Sequence, residues 1–155
     1  MGRWLPRAAA FALLAVLAGC SPPPPPPPTV VNLTLSATPD VNPDQAGQGA
    51  PLAVRVYQLS STSAFDDAEF FPLFNNDTGA LKDTLVQRDQ FILAPGKSKT
   101  VTLTPKDQVK ALGFFAAYRD FQHAKWRAEV AVPPHKTTTV TVTATRAGIT
   151  AKPGP

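Results

Sequence analysis

Residues 52–59 read Leu-Ala-Val-Arg-Val-Tyr-Gln-Leu. In an extended chain successive side chains point to opposite sides, so Leu52, Val54, Val56 and Gln58 share one face. Apolar alternation at a period of two, carried by β-branched residues, predicts a strand. Val30-Val31-Asn32-Leu33-Thr34-Leu35-Ser36 repeats the pattern upstream and predicts another. Between the two lies TPDVNPDQAGQGA, residues 38–50, with two prolines, two glycines and three Asx residues. Thirteen residues without periodicity is long for a strand connection, and connections of that length in compact domains are functional or unstructured.

Downstream, Ser63-Ala64-Phe65-Asp66 offers an N-cap with an acidic residue three positions on. Asp66, Asp67 and Glu69 then fall where a helix dipole favours negative charge. This predicts a short helical insertion over 64–76, broken near Pro72, with Phe65, Phe70, Phe71, Leu73 and Phe74 as core residues. Leu81–Leu93 fits helix or strand; a strand entering the Ala94-Pro95-Gly96-Lys97 turn is the preferred reading. Lys99–Leu103, Trp126–Val132 and Thr137–Thr145 alternate, while Leu112–Tyr118 is continuously apolar, as a central strand buried on both faces would be. About seven strands and one helical excursion make an all-β fold, an antiparallel two-sheet β-sandwich.

The N-terminus has a different composition. Arg3 and Arg7 precede an apolar run of 11 residues, Ala8–Ala18, which has the form of a secretory signal and is too short to span a bilayer, for which about 18 apolar residues are needed. It ends in Leu17-Ala18-Gly19-Cys20, which resembles the bacterial lipobox: the thiol takes a diacylglyceryl group and the chain is cut just before it. Two or three acyl chains hold a protein on a membrane, each buried CH₂ contributing about 0.8 kcal/mol. Ser21, in place of an aspartate inner-membrane retention signal, favours the periplasmic face of the outer membrane. Pro22–Pro28 forms a left-handed extended rod, a spacer of roughly 20 Å at about 3.1 Å per residue. The expected organisation is a cleaved signal peptide (1–19), a lipidated cysteine with a polyproline spacer (20–28) and one β-sandwich domain (29–155).

Cys20 is the chain's single cysteine, so the domain folds without a disulfide. Without Arg3 and Arg7, 13 basic residues face 11 acidic ones, and no basic run interleaves with aromatics. This balance and a periplasmic address argue against nucleic acid as a partner. His123 and His135 lack metal-ligand spacing, the pairing of Asp120 with His123 is weak, and the carboxylates at 66, 67 and 69 read as helix-start charges. There is no Gly-x-Ser-x-Gly turn, and Gly47 and Gly49 precede no phosphate-binding Lys-Ser or Lys-Thr. The expectation is no enzyme, no metal and no cofactor beyond the covalent lipid.

Several stretches together resemble the type VI secretion system outer-membrane lipoprotein family, TssJ. They are the lipobox, Asn42-Pro43-Asp44 leading into Pro51–Leu59, Phe65–Phe71, Leu93-Ala94-Pro95-Gly96, and Leu112–Phe121 with Trp126-Arg127. The resemblance implies a transthyretin-like sandwich with an added helical segment. It also implies a role in anchoring the trans-envelope complex of TssJ, TssL and TssM by binding the periplasmic C-terminal domain of TssM. In that family the loop after the first strand docks the partner, which maps here onto Asp40, Asn42, Pro43, Asp44, Gln45, Gly47, Gln48 and Gly49. The seven-proline spacer departs from the family pattern. Arg119 and Trp126-Arg127 read as structural residues, the arginine closing a buried strand. The alternatives are a generic periplasm-facing lipoprotein, either a pilotin or a ligand-binding sandwich, and a transthyretin-like purine hydrolase, for which two histidines are too few.

Overall fold

Along Val30–Ala37 every second residue, Val31, Leu33, Leu35 and Ala37, is buried, and this strand (β1) forms part of one wall of a sandwich. The computed structural model describes residues 1–2 and 22–154; the apolar signal run, Cys20 and Ser21 lie outside the described residues. The chain continues through β2 (Leu52–Leu59), α1 (Ser63–Asp67), α2 (Phe70–Leu81), a 3₁₀ turn (Lys82–Thr84), β3 (Leu85–Leu93), β4 (Ser98–Leu103), β5 (Ala111–Ala116), β6 (Arg127–Ala131), β7 (Thr137–Ala144) and β8 (Ile149–Pro153).

Two four-stranded sheets face each other, ordered β4-β1-β7-β8 and β3-β2-β5-β6. The sandwich expected from the alternating stretches is present, with two differences. Pairing is antiparallel except between β1 and β7, which run parallel from Val30 beside Thr137 to Ala37 beside Ala144. Strand β6 returns the chain to the end where Val30 enters, its following turn carries Lys136, whose carbonyl accepts the Val30 N–H, and β7 must then run alongside β1. The eighth strand, Ile-Thr-Ala-Lys-Pro, was not expected, because one large apolar residue beside a proline gives no alternation to read.

The inner faces of both sheets close an apolar core that includes Val31, Leu33, Val54, Val56, Phe114, Val140 and Val142. All six residues of β5 are buried, because α1 and α2 cover the outer face of its sheet. Tyr57, Leu59 and Phe115 on that face meet Phe65, Phe70, Leu73 and Leu81. Gly113 makes this possible: a Cβ there would come within 3.0 Å of Leu59 and 3.2 Å of the Phe65 ring.

The helical insertion is longer than 64–76 and is interrupted elsewhere. Thr62, not Ser63, precedes α1, and no side chain caps it. The chain is extended at Ala68 and Glu69, and Asn76 (φ −152°, ψ 68°) kinks α2. Pro72 breaks nothing, since as the third residue of α2 it lacks an N–H that would have had no intrahelical acceptor. Of the five residues expected in the core, Phe65, Phe70 and Leu73 are buried, but Phe71 and Phe74 remain 53% and 43% exposed.

Candidate partner-docking site

The β1–β2 loop is tied down before it reaches solvent. The N–H groups of Ala37 and Thr38 donate to the carbonyls of Lys97 and Ala144 (both 2.9 Å), and Val41 is fully buried. Asn42 is 4% exposed and sits at φ 47°, a left-handed conformation asparagine tolerates. Its Nδ2 donates to the Pro51 carbonyl and its Oδ1 accepts the Arg119 N–H, both at 2.9 Å, which ties the loop to the β5–β6 connection. The Asp44 carboxylate accepts the N–H groups of Ala46 (2.9 Å) and Gln48 (3.0 Å), and the backbone closes around it from Asp44 N–H to the Gln48 carbonyl (2.8 Å). Gly47 takes φ 79°, and a Cβ on Gly49 would lie 2.0 Å from the Pro39 carbonyl oxygen.

The eight residues singled out from sequence therefore divide by task. Asn42, Asp44, Gly47 and Gly49 shape the loop, Pro43 is half-buried, and Gln45 and Gln48 face solvent. Asp40 is exposed at the shoulder, accepting a hydrogen bond from the Thr38 hydroxyl (2.6 Å). A loop held this way loses little conformational freedom when a partner closes on it.

Pro43, Asp44 and Gln45 face Arg119 and Asp120 across a shallow hollow of about 380 Å³. Asp120 pairs with His123 at 2.6 Å, both exposed. Arg119 does not act as the structural residue read from sequence. Its backbone is held by Asn42, but its side chain is exposed and makes no ion pair or hydrogen bond among the described residues. Arg127 is structural: its guanidinium donates to the carbonyls of Phe65 (2.9 Å) and Ala68 (2.8 Å) and lies 4.9 Å from the Trp126 ring centroid.

A second polar constellation, unmarked in the sequence, lies under α2. Asp77, 3% exposed, accepts hydrogen bonds from Arg55 (3.2 Å), Arg88 (3.0 Å) and the Tyr57 hydroxyl (3.1 Å). Burial alone would raise its carboxyl, but the hydrogen bonds from Arg88 and Tyr57 and the two guanidinium charges outweigh that and hold it below its ordinary range. Burial pushes the Tyr57 phenol up. Within Asn-Asn-Asp-Thr-Gly, Asp77 has the composition of a turn, which conceals a buried acid. The cluster joins helix to sheet.

The β1–β2 loop and the proline spacer leave the sandwich at opposite ends of β1. Thr29, 4% exposed, accepts the His135 N–H (2.9 Å), and His135 Nδ1 donates to the Pro27 carbonyl (3.0 Å). The last prolines are thus clamped to the β6–β7 turn. The eight residues of β1 then separate this point from the loop by about 26 Å.

Residues 29–147 match the family model for the type VI secretion lipoproteins VasD, EvfM and TssJ. The chain belongs to that family. The lipoprotein superposes on the T6SS lipoprotein TssJ1 from Pseudomonas aeruginosa with a TM-score of 0.80 at 40% identity, over 83% of this chain and 98% of that one. It also matches Serratia marcescens Lip, a membrane-bound component of the type VI secretion system, with a TM-score of 0.74 at 26% identity, over 83% and 99% of the two chains. A further match, with a TM-score of 0.64 at 25% identity over 82% of the lipoprotein and 98% of the other chain, is to a chain in the structure of the EAEC T6SS protein TssM C-terminal domain (869–1107). No curated protein matches the lipoprotein by sequence. Among the described residues no helix is long and apolar enough to cross a membrane.

Proposed function

We propose that this protein is lipidated on Cys20, held on the periplasmic face of the outer membrane, and anchors the type VI trans-envelope complex by offering its 38–50 loop to the periplasmic C-terminal domain of TssM. The observation that carries the reading is the opposition of the two ends. Pro27 and Thr29 leave at one end of β1 and the loop at the other, so a domain tethered by residues 20–28 turns its loop away from the lipid. Family membership supports the complex as the setting, and a relative's fold in a structure named for the TssM C-terminal domain supports the partner. The lipid serves as anchor, with no catalytic role.

The test is a binding isotherm between the protein, purified from membranes in detergent, and the periplasmic C-terminal domain of its TssM. Saturable binding that is lost on deleting Gln45–Gly49, with the sandwich still folded by circular dichroism, is the expected result. An absence of binding by folded parent protein would leave a generic lipoprotein of sandwich fold. Retention of the protein in the aqueous phase of a detergent partition, with Cys20 intact, would overturn the anchor.

A further inference from the structure

We propose that the docking face is wider than the loop. It is a strip from Asp44 and Gln45 across Arg119 and Phe121 in the β5–β6 connection to Phe71 on α2, and one partner domain covers all of it. This rests on the reading that the 38–50 loop docks a periplasmic domain. The partner surface it fits carries an apolar pocket for Phe71 and Phe121 with a carboxylate at its rim for Arg119.

Continuity is the first argument. Arg119 and Asp120 line the hollow opposite the loop tip, and the next residues, Phe121 and Gln122, line a second hollow of about 410 Å³ with Phe70, Phe71 and Trp126. One connection therefore joins the loop to the helical layer without a break. Asn42 fastens this connection to the loop through the Arg119 N–H, so both halves of the strip are held in fixed relation.

The second argument is the state of the side chains. Phe71 is 53% exposed, yet it packs edge-on against Phe70 (5.5 Å, 87°) and Phe121 (5.0 Å, 70°), and Phe70 stacks on Phe121 at 4.5 Å. An aromatic ring already braced in this way presents a large apolar area and loses little freedom on burial. Two residues before Phe121, Arg119 has its backbone held by Asn42 and its guanidinium without a partner among the described residues, while the nearby acids are engaged: Asp44 with loop N–H groups and Asp120 with His123. Its free N–H donors suit a carboxylate on the partner, with which arginine forms a two-pronged charge-assisted pair. Aromatic residues and arginine are the types that dominate interface energetics.

The third argument excludes the bilayer as the cover. Phe71 lies in the first turn of α2, beside Phe121 and Trp126, at the end of the sandwich away from Pro27 and Thr29. A lipid-tethered domain turns this end toward the periplasm.

The experiment is calorimetric titration of the detergent-purified protein with the same TssM periplasmic domain, comparing the parent, the Gln45–Gly49 deletion, Phe71→Ser, Arg119→Glu and Arg119→Lys. Phe71→Ser and Arg119→Glu are expected each to weaken binding about tenfold or more. Arg119→Lys should recover part of the loss, and the Arg119 effect should shrink as salt is raised. Because the Arg119 side chain is exposed and makes no hydrogen bond or ion pair among the described residues, its variant is expected to keep the parent melting temperature and tests the strip even if Phe71→Ser is less stable. If the loop deletion abolishes binding while both point variants bind like the parent, the strip is wrong and the loop reading stands. If the parent does not bind, both fall. Two other results would also overturn the strip: Phe71→Ser dissolving a self-associated form without touching partner affinity, or reducing only adsorption to phosphatidylethanolamine–phosphatidylglycerol vesicles.

Discussion

Phe114 and Phe115 are neighbours on β5, both fully buried, and they belong to different layers. Phe114 enters the core between the sheets, where its neighbours are aliphatic or aromatic. Phe115 enters the helix-covered layer, 5.2 Å from the Phe70 ring, 5.8 Å from Trp126 and 5.6 Å from the Arg55 guanidinium. The first layer is mostly non-directional apolar packing, with the Tyr118 hydroxyl donating to the Thr145 carbonyl (2.8 Å). The second combines stacked rings with a hydrogen-bonded acid and two arginines, so it is specified by geometry and responds to charge. The helical layer also presents the exposed Phe71, on which the proposed docking strip depends.

The largest expected effect tests the inter-sheet layer. Phe114→Ala removes a fully buried ring from a closed core and should cost about 3–5 kcal/mol in urea unfolding. A smaller loss would mean that the sandwich can collapse around the cavity. Asp77→Ala tests the other layer. It leaves the Tyr57 hydroxyl without a partner and Arg55 without its carboxylate, but Arg55 keeps the Leu73 and Phe74 carbonyls and Gln90, and Arg88 is 48% exposed and can turn to water, so about 2–4 kcal/mol is expected. The sign with pH follows from the lowered carboxyl. Its stabilisation is complete above the ordinary value of 3.8 and is lost as pH falls from there through the lower folded value, so Asp77→Asn should flatten acid unfolding within that window and not below it.

Gly113→Ala probes the seam between the layers. A methyl group 3.2 Å from the Phe65 ring and 3.0 Å from Leu59 should cost about 1–3 kcal/mol in thermal unfolding and lift α1 from the sheet. If α1 protection in hydrogen exchange is unchanged, the helix is not seated on this glycine. The smallest effect is at the rim, where burial and then a hydrogen bond and repulsion from Asp66 raise the Glu129 carboxyl. A raised carboxyl costs stability above its folded value, and the cost disappears as pH falls through it. Glu129→Gln should therefore melt slightly higher than the parent at neutral pH, with the gain vanishing on acidification.

How much was legible can be judged from particular residues. The alternation in Leu52, Val54 and Val56 identified β2 and the face it buries, and the unbroken run Leu112–Tyr118 identified a strand covered on both sides, which ends at Ala116. Tyr57 and Leu59 fall on the other face of β2, and their burial depends on helices that follow them in the chain. The same limit explains Phe71 and Phe74, since an apolar residue on a short helix gives no sign of whether the helix has one neighbour or two. The loop was identified by its length and its turn residues, but the duties of Asn42, which bridges to residue 119, and Gly49, which abuts Pro39, depend on contacts beyond local patterning.

Local chemistry determined what is local: period-two strands and the turn residues, each a property of a few consecutive side chains. The tertiary structure alone decided what depends on residues far apart: the parallel pairing of β1 with β7, the burial of Asp77 between Arg55 and Arg88, and the placement of the loop and the proline spacer at opposite ends of one domain. The physical reason is that backbone preference and hydropathy act within a few residues, whereas pairing partners and enclosure are set by the packing of the whole chain.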